Sequence, residues 1–208
     1  MMDKALEHLR ANDPIIAELI ARYPAPTFHK HGNYYQELVD SIISQQLSVK
    51  AARAIETRFK DLYGGSFPSP EQILDTDIET LRGVGISRPK ARYIQDLAMK
   101  ILDGSVKFDH FDQQSNEEII AELTAVKGIG EWTAHMFLMF CMGRLDVLPT
   151  GDLGIRNGVT ALYSFIATAT PQDIIDIANT HQWKPYESVA SWYVWQSLDN
   201  MPATSQAL

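Results

Sequence analysis

Residues 126–133 read "VKGIGEWT", and twenty residues beyond Trp132 an aspartate closes the run "LPTGD" at Asp152. Gly128 and Gly130 permit φ > 0, so the chain can reverse tightly there, and without side chains another backbone can come close. The N–H groups that open the next helix lie at its positive end, which suits a phosphate without requiring net positive charge. The same turn can equally be a plain connection between helices. Asp152 stands where a helix begins, so it is either an N-cap or a carboxylate set out for chemistry, and its neighbours leave both readings open. The histidines show no ligand spacing: His29-Lys30-His31 is a short pair with no matching partners, so no catalytic metal is expected.

The elements that would carry these residues are helices. Apolar residues recur three and four apart in Leu38-Ile42-Ile43-Leu47 and in Ile119-Ile120-Leu123. Ser69-Pro70-Glu71-Gln72, Ser115-Asn116-Glu117-Glu118 and Thr170-Pro171-Gln172-Asp173 each carry a helix-start signal. Alternating strand patterns are scarce. The pattern predicts an all-α chain of about ten helices joined by short connections. "LRGVGISRPKA" (81–91) weakly echoes "AVKGIGEWTA" (125–134), with Gly-x-Gly after one helix and before another.

Composition sets limits. The chain of 208 residues is 45% hydrophobic, enough for one sizeable core or two small lobes. No apolar run reaches the ~18 residues of a membrane span, and the N-terminus reads as a mixed-charge helix rather than a signal peptide. The single cysteine, Cys141, excludes an internal disulfide, an iron–sulfur cluster and a cysteine-based zinc site, and makes a reducing cytoplasm the default. Net charge is −8, which by itself argues against nucleic acid. Its distribution is uneven: residues 82–107 hold six basic and two acidic side chains, and residues 109–122 hold five acidic and no lysine or arginine. Solvated helix faces would account for such runs as well as a binding surface would.

"IISQQLSVKAA" (42–52), "LTAVKGIGEWTA" (123–134), "LPTGDLGIRNG" (148–158) and "WKPYESVASWYVW" (183–195) together resemble the helix–hairpin–helix, Gly/Pro-rich, Asp superfamily of DNA glycosylases. The similarity runs from about Tyr34 to Trp195 and is greatest to the alkylated-base branch, DNA-3-methyladenine glycosylase II, in a compact form without the N-terminal β-rich domain of larger bacterial members. The resemblance implies two helical lobes, 37–146 and 1–36 plus 147–208, with an active-site cleft between them and a helix–hairpin–helix at about 116–140. It puts the catalytic aspartate at Asp152, approached through Pro149 and Gly151, and a phosphate site at Lys127, Gly128, Ile129, Gly130 and Thr133. Pocket positions fall on Trp132, Trp195, Gln45 and Met136, the last replacing an aromatic residue. A cationic base over an indole gains roughly 0.5–2 kcal/mol, although Trp195, Trp192 and Trp183 could as well be core. The plug that fills the gap left by a flipped base falls on Gln46 or Leu47.

The activity so implied is hydrolytic release of N-alkylated purines, such as 3-methyladenine and 7-methylguanine, from duplex DNA to leave an abasic site. Relatives with lyase activity carry a lysine where this chain has Trp132; Lys127 precedes the glycines and is not equivalent. No cofactor is required, although the hairpin carbonyls of such relatives can hold a monovalent cation. The expected setting is a monomer on damaged duplex DNA in a bacterial cytoplasm or nucleoid, with no membrane role. Two alternatives remain at this level: a non-catalytic helix–hairpin–helix module that senses damage, and a glycosylase for deaminated or mismatched bases. A mere phosphate binder needs neither Asp152 nor the C-terminal tryptophans.

Overall fold

The computed structural model describes residues 1–198 and contains, among them, twelve α-helices, one 3-10 segment, one π-helical run and no strand. Two more α-helices occur than the apolar spacing suggests, and several are short, each started by its own polar cap. Asp13 caps the helix that starts at Pro14, and Asp77 caps the one that starts at Ile78. The three start signals read from sequence are all present as reciprocal caps, at Ser69/Gln72, Ser115/Glu118 and Thr170/Asp173.

The chain divides into two compact units, Gly32–Phe137 and a unit built from both ends, Met1–His31 with residues from Leu138 onward. This differs from the expected boundaries of 37 and 146, and residues 199–208 of the expected second lobe lie outside the described residues. The reason lies in residues 138–147. His31 N–H donates to Cys141 O (2.8 Å), Phe28 packs on Phe140, and the Ser188 hydroxyl bonds Arg144 O (2.8 Å) and receives Val147 N–H (3.1 Å). These bonds tie the segment to the chain ends.

Helices are numbered in chain order, and the central unit holds α3 (Tyr34–Ser44), α4 (Val49–Leu62), α5 (Pro70–Asp75), α6 (Ile78–Gly83), α7 (Arg88–Leu102), the 3-10 segment Phe108–Gln113, α8 (Asn116–Thr124) and α9 (Glu131–Met136). Helix α7 is the axis: it buries Ala91, Ile94, Leu97 and Ala98 and packs on α3, α5 and α6. Its apolar positions three and four apart make one buried face. Tyr34, Phe108, Phe111 and Phe137 form a ring cluster beside it.

The end-built unit holds α1 (Met2–Asn12), α2 (Pro14–Arg22), α10 (Leu153–Leu162), α11 (Pro171–Thr180) and α12 (Glu187–Ser197). Helix α12 is buried on nearly every side, packed by α1, α2 and α10. Gly158 lets α10 approach it: a Cβ there would stand 2.4 Å from Val194 Cγ1 and 3.1 Å from Val194 O.

Candidate active site

The hairpin between α8 and α9 is held by bonds that use up several of the groups expected to face a phosphate. Lys127 N–H donates to the buried Asp96 carboxylate on α7 (2.8 Å), and the Lys127 ammonium lies 3.4 Å from the same side chain. Ile129 is buried and its N–H donates to Val126 O (3.1 Å). The Thr133 side chain is buried as well. The Lys127 and Ile129 amides therefore build the turn rather than open outward, which corrects the phosphate site drawn from sequence. Gly130 and Glu131, at the start of α9, have N–H groups with no acceptor among the described residues.

The two hairpin glycines also differ. Gly128 has φ +85, and a Cβ there would stand 2.1 Å from the Tyr93 ring, so both conformation and packing require glycine. Gly130 has φ −95 and ψ 172, which any residue adopts, and a Cβ there would meet open space. Its expected positive φ is thus not found. Nothing among the described residues demands glycine at 130.

The Gln45–Ser48 turn joins α3 to α4. Gln45 is half-buried, and its side-chain amide donates to Gly128 O (2.9 Å), so it ties this turn to the hairpin. Gln46 is exposed with φ +58, a left-handed conformation uncommon for a residue with a side chain, whereas Leu47 is half-buried. On α9, Trp132 is 39% exposed and Met136 only 4%, so of the two Trp132 is the one that reaches the surface.

In the end-built unit, Asp152 is the N-cap of α10 and nearly buried. Its Oδ1 accepts Ile155 N–H (2.8 Å) and the Trp195 indole N–H (2.8 Å), which together fix the carboxyl plane. Asp152 N–H donates to Pro149 O (3.0 Å), a tight turn that delivers the residue to the helix start. Trp195 is only 1% exposed and packs near Phe140. An indole so enclosed has no bare face for a base. Trp195 therefore stands apart from an open pocket wall, with its polar edge turned to Asp152. Gly154 makes room for this pair, since a Cβ there would lie 3.0 Å from both Asp152 Oδ1 and Trp195 Cδ1.

The braced hairpin in the central unit and the oriented carboxylate in the end-built one both fall within a stretch that matches a known family. The family model for the "HhH-GPD superfamily base excision DNA repair protein" covers residues 39–181. The chain belongs to that superfamily. It is 35% identical over 194 residues to DNA-3-methyladenine glycosylase 1 of Schizosaccharomyces pombe, spanning 92% of this chain and 84% of that protein. A crystal structure of a DNA-3-methyladenine glycosidase from Bacillus halodurans superposes with TM-score 0.84 at 37% identity, over 93% of this chain and 88% of the other. A 3-methyladenine DNA glycosylase of S. pombe in complex with abasic DNA superposes with TM-score 0.79 at 35% identity, over 94% and 97%.

Several residues of this HhH-GPD chain that shape the site carry no local sequence signal. Tyr93 and Asp96 on α7 brace the hairpin. Lys90, on the same helix, donates from its ammonium to Ile43 O (2.7 Å) and Gln45 O (2.6 Å). Partial burial pulls its pKa below the ordinary lysine value. The basic stretch 82–107 is also less open than its sequence suggests, because Glu79 pairs with both Arg82 and Arg88. Gly154 and Gly158 had a findable signal, glycines four apart on one helix face, whose meaning depends on what packs there.

Proposed function

We infer that this chain is a monofunctional DNA glycosylase that releases N-alkylated purines by hydrolysis. The observation that carries the reading is Asp152 at the N-cap of α10 with Trp195 N–H and Ile155 N–H on one carboxyl oxygen, in a superfamily of base excision repair proteins. A phosphate binder has no use for a carboxylate oriented in this way. The naming of its relatives as 3-methyladenine glycosylases supports the substrate class.

Breaking an N-glycosidic bond builds positive charge on the sugar. A fixed carboxylate near C1′ stabilises that charge and can orient the attacking water. An N-alkylated purine is already cationic, so it departs without a second carboxyl to protonate it, unlike the leaving group of ordinary glycosidases. Trp132, the more exposed of the two α9 candidates, is the stacking partner for the extruded base. Gly130 and Glu131 amides are the phosphate donors, and Gln46 fills the gap in the stack.

The hairpin carbonyls Val126 O, Gly128 O and Gly130 O each receive one N–H, from Ile129, Gln45 and Ala134, and each keeps a second lone pair. A monovalent cation there stays compatible with the turn, and no step is assigned to one.

The test is excision from N-methylpurine DNA, with released bases identified. Asp152→Asn, which removes charge but little volume, is expected to lower the single-turnover rate about a hundred- to a thousand-fold with duplex binding retained. The wild-type product is expected to be free base and an unbroken strand, with no adduct trapped by borohydride. Near-normal excision by a folded Asp152→Asn protein sinks the mechanism, and a robust adduct sinks the hydrolytic assignment.

A further inference from the structure

The turn that presents Gln46 is anchored from outside itself. Helix α3 ends at Ser44, at the negative end of its dipole; Ser41 O receives Gln45 N–H and Ser44 O receives Leu47 N–H, which leaves Ile43 O and Gln45 O to be served from outside the turn. Lys90 supplies the donor. Its ammonium sits on Ile43 O (2.7 Å) and Gln45 O (2.6 Å), immediately before Gln46. The backbone of Gln46 is left-handed at φ +58, a conformation that persists in a non-glycine residue where its surroundings over-determine it. Leu47 N–H closes the turn on Ser44 O (3.0 Å), and Ser48 caps α4 directly after it.

The same helix that carries Lys90 also braces the hairpin. Three residues on, Tyr93 packs against Gly128; three further, Asp96 receives Lys127 N–H. Positions three apart share one helix face. The Gln45 side chain then joins the two loops directly through Gly128 O. One face of α7 therefore templates both the gap-filling turn and the phosphate-binding hairpin.

We propose that Lys90 is a positioning residue for base extrusion: it acts through the α3 carbonyls, holding the 45–47 turn in the geometry that lets Gln46 enter the DNA stack. This rests on the gap-filling reading of Gln46. It requires no contact between Lys90 and DNA, although a lysine in a DNA-binding protein would ordinarily be taken for a phosphate contact.

The experiment compares wild type with Lys90→Met, Lys90→Arg, Gln46→Ala and the Lys90→Met/Gln46→Ala double variant. Each is assayed in single turnover on one 7-methylguanine lesion placed in a duplex and in a single strand, where little stack must be refilled. Amide hydrogen exchange of the 44–48 turn is followed in the free proteins. Lys90→Met is expected to speed exchange at Leu47 and to lower duplex excision about ten-fold while changing single-strand excision less than about two-fold. Lys90→Arg should recover part of the duplex loss, because a guanidinium can also donate to both carbonyls. The double variant should lose no more than Gln46→Ala alone, as expected of residues acting as one unit.

Equal losses on both substrates, additive losses in the double variant, or unchanged exchange at Leu47 overturns the proposal. So does weaker binding of Lys90→Met to undamaged duplex with a salt slope shallower by about one phosphate's worth, which would make the ammonium a direct DNA contact. Full duplex activity in Gln46→Ala overturns the gap-filling reading instead; Lys90 is then judged on the contrast between duplex and single strand in Lys90→Met alone.

Discussion

A buried indole usually adds volume to a core; at Trp195 the polar edge matters as well. Its N–H is on Asp152 Oδ1, and its ring closes the space that Gly154 leaves open. Trp195→Phe keeps most of the ring and removes the donor. It is expected to lower kcat about ten- to a hundred-fold with KM nearly unchanged, since a freed carboxyl spends less time in the reactive orientation. Steady-state kinetics on methylated duplex checks this, and an effect confined to KM would return Trp195 to the pocket. A second carboxylate shows the reverse economy. Asp40 on α3 has one oxygen without a hydrogen bond, and burial, with Glu56 adding to it, raises its pKa from 3.8 to about 6. Because the folded value lies above the unfolded one, Asp40 is harmless below the unfolded value and costs stability as pH rises through 6. Asp40→Asn should therefore stabilise the protein by about 1–3 kcal/mol at about pH 7.5 and leave it nearly unchanged at about pH 4. Urea titrations at the two pH values read this out, and an equal shift at both would mean that the carboxylate's charge is not the cause.

At the scale of elements, the helix–hairpin–helix separates two kinds of glycine. Gly128 is required by the fold, through φ +85 and the Tyr93 ring, whereas Gly130 adopts an ordinary backbone with open space beyond it. Gly128→Ala should cost about 1–3 kcal/mol of stability. Gly130→Val should cost little stability yet weaken binding to damaged and undamaged duplex alike by about ten-fold or more, because the hairpin reads backbone and not bases. Thermal melts and duplex titrations of the two variants should thus give opposite patterns. A Gly130→Val protein that binds duplex normally would remove the first turn of α9 from the DNA contact. The sequence motif shows both glycines and gives no means of telling them apart, since the difference is set by Tyr93, 35 residues away in the chain.

At the scale of the whole molecule, the unit that carries Asp152 is assembled from both ends of the chain, and Asp13 is a principal fastener. It is wholly buried, caps α2 through Ile15 and Ile16 N–H, and accepts the Trp183 indole N–H (2.7 Å) and the Tyr163 hydroxyl. Asp13→Ala should cost about 3–5 kcal/mol, since it strands buried donors from distant segments. A denaturant midpoint near wild type would show that the apolar core alone joins the ends. In the sequence Asp13 is one charge in a mixed-charge N-terminal stretch, with nothing to mark Trp183 and Tyr163 as its partners. What the sequence by itself determined was what repeats locally or has a spacing: the all-α class, the capped helix starts and the hairpin between two helices. These follow from periodicity, caps and motif order, each written within a few adjacent residues. Only the tertiary structure decided that Trp195 is enclosed with its N–H on Asp152 Oδ1, that the Lys127 and Ile129 amides are spent within the turn, and that the Lys90 ammonium donates to Ile43 O and Gln45 O. Each of these is a hydrogen bond whose partner is chosen by packing, and for Trp195 and Lys90 that partner lies some forty residues away in the chain.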